Sequence, residues 1–500
     1  MARIAVIGAG LGALAASARL AVAGHQVTVY ERAETYGGGV RRYERDGFRF
    51  DTGPGLLHLP AVYRDLFVKT GRDPLEERIE LVRLAPAVRH VFADGTAVSL
   101  PYASRAGTIE ALDQALGTGA GRRWTDMLSR ARTVWDATRR PLLEEPLSAA
   151  DAPAARAWLA RDPYPALRKK GLLRRRTPTL AEVAADELRD PRLVSMLAGY
   201  AHAYGLDPQK APAGATVLAY LEHTFGSWYV RGGMRALAVA LYERCTERKV
   251  DFCFGTGVLG VREKDGRATG LQLAGAPDVT ADAVVAGSWW PPAAAGTGPT
   301  GAGTGPAAAA PPGVPARSRL TVLLALRGGR PEGTVHRTVV HRADAPAQPL
   351  TVLRPDDPAL CPDAGHESAV LSVTVDAHEI CGRHDASRLA DRMVAAADAA
   401  GLGLGSRVLW REVRTPGDIE AETGVPGGLV PAPALPGTGG HGGGRTRASV
   451  YERPPNRTAT KGFYRAGGWA HPGGGLAHAG MSGALVAGLI VEGDDWRGSQ

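Results

Sequence analysis

Residues 8–13 read Gly8-Ala9-Gly10-Leu11-Gly12-Ala13, a spacing of small residues that lets a chain turn tightly beside a phosphate. The apolar run Arg3–Ile7 before it has the character of a short buried strand, and an alanine-rich helical stretch, Leu14–Ala23, follows. A second strand-like run, His25–Tyr30, closes on Glu31. Strand, glycine turn, helix, strand and acid in this order form the frame that binds an adenine dinucleotide. Gly8 permits the turn, and Gly10 lets backbone N–H groups approach a pyrophosphate. Ala13 is small enough for the helix to pack close to its sheet. The helix start offers unpaired N–H donors and the positive end of a dipole. Glu31 can accept from ribose hydroxyls, and its charge disfavours a 2′-phosphate.

The turn does not distinguish one dinucleotide from another; the residues after it do. Glu31-Arg32-Ala33-Glu34 leads into Gly37-Gly38-Gly39-Val40, a second glycine cluster able to approach the rest of the same ligand. Asp46-Gly47-Phe48-Arg49-Phe50-Asp51-Thr52-Gly53-Pro54-Gly55 then stands where a simple nicotinamide dehydrogenase would begin its next βα unit. These two segments resemble the phytoene desaturase family, carotenoid-modifying FAD oxidoreductases within the amine oxidase-like flavoproteins. Gly462–Gly475 is similar to that family's C-terminal flavin-binding signature, and Trp228–Met234 to a landmark preceding a helix.

The resemblance implies FAD as cofactor. It implies a cofactor site made of Gly8, Ala9, Gly10, Leu11, Gly12, Ala13, Glu31, Arg32, Gly38, Gly39, Val40, Gly53, Pro54, Gly55, Gly467, Gly468, Gly474, Gly475 and Leu476, with the backbone of Val258 at the adenine. It places His58 and His471 in segments near the flavin face, as candidates to touch substrate or flavin. Three positions depart from the family. Gly39 stands where Lys or Arg is usual, so that a cation there must come from Arg41 or Arg42, or be absent. Gly55 and His58 replace small polar residues. The chemistry implied is hydride transfer between a C–H bond of a lipophilic, isoprenoid-like substrate and flavin N5. Three other readings stay open: an oxidase of an amine or small natural product, a reductase or isomerase using reduced FAD, and a flavoprotein that binds lipid without turnover.

The elements that must position this site give an α/β expectation: a discontinuous Rossmann-like FAD-binding domain, a mixed-sheet substrate domain and a helical lobe. The FAD domain is expected from residues 1–67, 230–290 and 455–495. Residues 68–229 read as a mostly helical, membrane-facing lid, and 319–454 as the substrate-binding sheet domain. Residues 291–318 are a low-complexity Pro/Ala/Gly/Thr loop, and Pro431–Gly444 has the composition of a second loose loop.

The remaining features bound the function. Five hundred residues exceed one compact core. The net charge of +8 suits an anionic membrane surface, and the basic stretch 156–176, with Arg168-Lys169-Lys170 and Arg174-Arg175-Arg176, could rest on one. No nucleic-acid motif accompanies that charge. No apolar run of about 18 residues is present, and the N-terminus lacks signal-peptide character, so a cytoplasmic, at most membrane-peripheral protein is expected. The four cysteines, Cys245, Cys253, Cys361 and Cys381, have no C-x-x-C spacing, and no metal is expected.

Overall fold

The computed structural model describes residues 1–150, 161–166, 178–290, 317–345, 348–380, 382–437 and 453–498. Most of the basic stretch 156–176, the low-complexity segment 291–316 and the glycine-rich 438–444 lie outside the described residues.

The strand Arg3–Ile7 is buried from Ile4 onward because helices cover one face of its sheet and the three-stranded antiparallel sheet Val258–Lys264, Arg267–Leu273, Val279–Thr280 covers the other, which is why its sequence is continuously apolar. That sheet has five parallel strands in the order Phe463–Arg465, Ala283–Ala286, Arg3–Ile7, Gln26–Tyr30, Asp251–Cys253. Its strands therefore come from the start, the middle and the end of the chain. The helix Leu11–Val22 packs on the helices Arg235–Glu247 and Leu476–Glu492. Small residues set the last crossing: a Cβ on Gly483 would lie 2.3 Å from the Gly12 carbonyl oxygen.

A second, seven-stranded sheet runs in the order Val408–Arg414, Arg317–Arg327, His366–Asp376, Leu350–Leu353, Arg337–Val340, Val88–Val91, Ala97–Leu100. Only the pairing of Arg337–Val340 with Val88–Val91 is parallel. The helix Arg383–Ala399 seals one face through Leu389, Ala390 and Met393. The region 68–229 is not purely helical, since it supplies two strands of this sheet and a third at Leu81–Arg83. These strands are only three or four residues long, too short for alternation to announce them. The helices Arg105–Leu116, Ala120–Arg139, Pro191–Ala203 and Val217–Phe225 gather around the fully buried Trp124.

The loose loop expected from Pro431 is not found in its described part. Ala432, Ala434 and Leu435 are buried, and backbone bonds tie Gly474 N–H to Ala432 O and Ala434 N–H to Pro472 O, each at 2.9 Å. Proline and glycine content there reflects close backbone contact with the C-terminal glycine segment.

Candidate functional site

The carboxyl ends of the parallel strands face a cavity of about 1760 Å³ that runs on between the helical lobe and the open face of the seven-stranded sheet. Ligands in open parallel sheets bind at such strand ends. Ile7, Tyr30 and Gly287, at or just beyond those ends, line it. Single-ligand pockets are commonly about 300–1,000 Å³, so the space suits a dinucleotide together with a second molecule.

Hydrogen bonds hold the first turn in shape. The Gly8 N–H donates to Tyr30 O at 2.8 Å, and Gly37 N–H donates to Ala9 O at 2.8 Å. Glu31, 9% exposed, accepts from Ala9 N–H at 2.7 Å and from Ala33 N–H at 2.8 Å. The helix Leu11–Val22 begins without a side-chain cap, and Gly10, Leu11 and Gly12 line the cavity, so the donors at the helix start are open to a ligand.

Most residues expected at the cofactor lie on the cavity wall: Gly8, Gly10, Leu11, Gly12, Glu31 and Arg32, then Gly38, Gly39 and Val40, then Gly53, Pro54 and Gly55. Val258, Gly467, Gly468, Gly475 and Leu476 join them from the far segments. Ala9, Ala13 and Gly474 sit behind the wall. Ala13 packs on Gly287, and a Cβ on Gly474 would strike the Pro431 carbonyl. Their part is to let backbones meet. His471 also lies off the cavity. It is 3% exposed, its Nε2–H donates to Glu145 O at 3.0 Å, and burial lowers its pKa to about 4. It ties segments together and does not face the ligand space.

Of the two cations next to Gly39, Arg41 lines the cavity and donates to Gly38 O and Glu422 O, each at 2.9 Å. Arg42 points elsewhere, donating to Gly232 O at 2.7 Å. Asp51, in the Asp51–Pro54 segment, accepts from Met234 and Arg235 N–H at 2.6 and 3.1 Å and anchors the helix Arg235–Glu247. Burial outweighs these bonds and raises its pKa to about 6.

Two donors on the wall lack partners. Trp289 Nε1 and Arg465 Nε are buried without a hydrogen-bond acceptor. Orphaned donors on the same cavity wall as an uncapped helix start and Arg41 are the chemistry a polyanionic dinucleotide satisfies, so the residues fit FAD.

The helix Pro416–Thr423 forms part of the same wall, through Ile419 to Thr423. Arg32 and Arg41 hold its carbonyls at Ala421 and Glu422. A reciprocal cap starts it: Thr415 Oγ1 accepts from Asp418 N–H at 3.2 Å, and Asp418 accepts from Thr415 N–H at 2.8 Å. Thr415→Ala is expected to cost about 1 kcal/mol of stability in chemical denaturation.

The sheet-side wall holds residues the sequence reading did not single out. Glu222, Arg337, Tyr200, His90 and Arg319 all line the cavity. Arg337 Nη1 donates to Glu222 Oε1, both side chains being more than four-fifths buried. None of them stands in a recognisable motif, and only the fold assembles them.

Comparison with known proteins agrees with this site. The family model described as "Flavin containing amine oxidoreductase" matches residues 14–297. The chain belongs to that family. It is an FAD-dependent oxidoreductase, and the relatives it resembles include carotenoid-modifying enzymes. The 4,4'-diapolycopene oxygenase of Methylomonas sp is 26% identical across 98% of this chain and 98% of its own length. The hydroxyneurosporene desaturase of Rubrivivax gelatinosus is 28% identical across 98% of this chain and 93% of its own. The phytoene dehydrogenase of Streptomyces griseus reaches 32% identity over 56% of this chain and 53% of its own. Among solved structures, wild-type putrescine oxidase bound to putrescine superposes with a TM-score of 0.60 at 13% identity, covering 98% of this chain and 99% of that one. An oxidoreductase from Methanosarcina mazei gives 0.59 at 15% identity, covering 97% and 99%. These two show a shared fold. Among the described residues, no helix is long and apolar enough to cross a membrane.

Proposed function

We propose that this enzyme transfers hydride between a C–H bond of a long, lipophilic, isoprenoid-like substrate and FAD. The observation that carries the reading is the size and continuity of the cavity: beyond the dinucleotide-binding turn it continues between helices and sheet, past Leu59, Met196, Leu218, Leu221 and Val339. Full-length similarity to a diapolycopene oxygenase and a hydroxyneurosporene desaturase supports the same substrate class.

In this reading the N–H groups of Leu11 and Gly12 would hold the pyrophosphate, with Arg41 as the nearby cation. Glu31 would take the ribose hydroxyls, and Val258 the adenine. The segments Gly53–Gly55 and Gly467–Leu476 would hold the flavin end. The FAD-binding domain would comprise 1–67, 230–290 and 455–495, with 68–229 closing over the substrate. When bound, FAD supplies the hydride acceptor at N5; the chain's own work is to orient the C–H bond and to exclude water. His58, on the cavity wall, would face the substrate or the flavin edge. The basic sequence Arg168–Arg176 and the net charge of +8 support loading from an anionic membrane surface.

Anaerobic mixing of the holoenzyme with acyclic carotenoid precursors tests the proposal. Loss of the oxidised flavin absorbance is expected with at least one polyene. Bleaching by a polar amine and by no polyene would overturn it.

A further inference from the structure

The sheet-side wall of the cavity carries a cation that no carboxylate of the described residues balances. The strands Arg317–Arg327 and His366–Asp376 pair antiparallel, with Arg319 opposite Thr374 and Thr321 opposite Ser372. Alternation along each strand puts these side chains on one face of the sheet. That face is the one open to the cavity, and all of them line it. Their neighbours Leu320, Val322 and Leu371 point the other way, into the core beneath the helix Arg383–Ala399.

Arg319 is the charged member of this patch. Its Nη2 donates to Ala203 O at 2.6 Å, at the end of the helix Pro191–Ala203. That is its one hydrogen bond among the described residues. The helix end has partial negative charge and favours a cation, but the bond uses only one of several guanidinium N–H donors. Arg337, the other arginine of this wall, is balanced by Glu222. Arg32, Arg41 and Arg465 stand in or beside the segments proposed for the dinucleotide. Burial opposes the charge on Arg319, yet a guanidinium keeps its proton in a protein. Buried charges are ordinarily paired, so this one lacks a partner that a ligand can supply.

The groups around it are donors. Tyr204 follows Ala203, lines the cavity and is electrostatically coupled to Arg319. Burial raises its pKa to about 12, so the phenol keeps its proton. The hydroxyls of Thr321 and Ser372 make no hydrogen bond to the described residues, whereas Thr374 Oγ1 is spent on His202 O at 2.8 Å. Burial lowers the pKa of His202 to about 4, so its ring is neutral and adds no charge.

A neutral end group on the substrate would leave the guanidinium unbalanced, and an ammonium would be repelled. A phosphate monoester brings nearly two charges to one cation. A carboxylate brings one charge, is ionised at neutral pH and matches the planar fork of an arginine. The approach to this point is mostly apolar. Met196, Gly199, Tyr200 and Ala203 recur at helical spacing and line the cavity along one side of Pro191–Ala203. From Met196 to Ala203 that side runs about 10 Å and ends at Arg319.

We propose that Arg319, with Tyr204, binds a carboxylate at one end of an isoprenoid-like chain. The guanidinium offers N–H groups to the two carboxylate oxygens, Tyr204 adds a further donor, and the chain lies along the helix toward Met196. The inference rests on the lipophilic-substrate reading and narrows it from hydrocarbons to isoprenoid acids.

The test is a binding measurement on the oxidised holoenzyme, separate from turnover. Farnesoic acid, its methyl ester, farnesol and farnesyl phosphate are compared by isothermal titration calorimetry. The acid is expected to bind at least about tenfold more tightly than the ester or the alcohol. Arg319→Met removes the charge and should erase that preference by weakening the acid. Arg319→Lys keeps the charge without the fork and should retain part of the preference. Tyr204→Phe should narrow it about threefold. Should Arg319→Met fail to fold, the wild-type series with Arg319→Lys and Tyr204→Phe decides. Equal Kd values for acid and ester in the wild type would overturn the site and leave the proposed function standing. Tighter binding of the phosphate than of the acid would overturn the carboxylate assignment. An acid preference that Arg319→Met leaves unmoved, with or without a shift in flavin midpoint potential, would overturn the assignment to Arg319. Flavin reduction by an amine and by no polyene would overturn the underlying function and this inference with it.

Discussion

Gly10→Val is expected to yield a folded protein that no longer retains its flavin. Gly10 has extended backbone, φ −73° and ψ 166°, which valine adopts readily. A Cβ built there meets only Gly287 O at 3.8 Å and Gly38 Cα at 4.0 Å, ordinary contact distances. The fold therefore has room for the first carbon. The branched methyl groups beyond it project where the uncapped helix start opens to the cavity, the space we assign to the pyrophosphate. FAD affinity should fall at least about a hundredfold, equivalent to about 2.7 kcal/mol. Flavin content after dialysis and the far-UV circular dichroism of the same sample separate loss of ligand from loss of fold. Gly12→Val serves as the contrast. Its Cβ would lie 2.6 Å from Gly467 Cα and 2.8 Å from Ala479 O, both backbone atoms that cannot swing aside. That variant should lose soluble folded protein, flavin and all. A Gly10→Val protein with one tightly held flavin per chain would show that the turn is not the pyrophosphate cradle.

The contrast between these glycines also shows what the sequence could and could not disclose. Spacing identified the glycine turn, because strand, turn, helix and acid are contiguous and each has a fixed task. It did not say which glycines face ligand and which face backbone. Gly467 to Leu476 shows the same limit: Gly475 and Leu476 line the cavity, whereas His471 turns inward to the Glu145 carbonyl. A motif locates a segment, and side-chain direction is decided by what packs behind it. Arg41 and Arg42 are one residue apart near Gly39, and only the fold shows that Arg41 lines the cavity while Arg42 turns to Gly232 O. Apart from His58, which the sequence named, the polar residues of this wall were out of reach. Glu222 and Tyr200 sit on separate helices, Arg337 and His90 on paired parallel strands far apart in the chain, and His58 just before a helix. None has a partner at a recognisable sequence spacing. Loop composition misled at Pro431–Gly437, where proline and glycine mark close packing against Gly473 and Gly474.

Acidification from pH 6.5 to 4 is expected to remove about 4 kcal/mol of stability, a large share of the roughly 5–15 kcal/mol that holds a folded domain together. His202, His341 and His471 are 9%, 8% and 3% exposed, and burial lowers each pKa to about 4, with Arg317 adding to the effect at His202. Unfolded, each titrates near 6.5, so between those values the unfolded chain binds more protons than the native one. Their contribution is complete above pH 6.5 and is lost as pH falls, at about 1.4 kcal/mol per unit for each histidine. Asp51 and Asp162 act in the opposite sense. Burial raises both to about 6 against an ordinary 3.8, so each favours the native state increasingly as pH falls below 6. Three histidines outweigh two aspartates, so the net loss is steepest near pH 6 and eases as the aspartates protonate further below it. His223 and His478, also lowered to about 4 by burial but more exposed, push in the same direction. Urea unfolding at half-unit pH steps, with FAD in fixed excess, measures the slope. His471→Gln keeps a donor for Glu145 O and removes the titration, so it should flatten the profile by about one histidine's share. Asp51→Asn removes an opposing term and should steepen it. Stability that stays level from pH 7 to 4 in the wild type would mean that these histidines are not held neutral in the core.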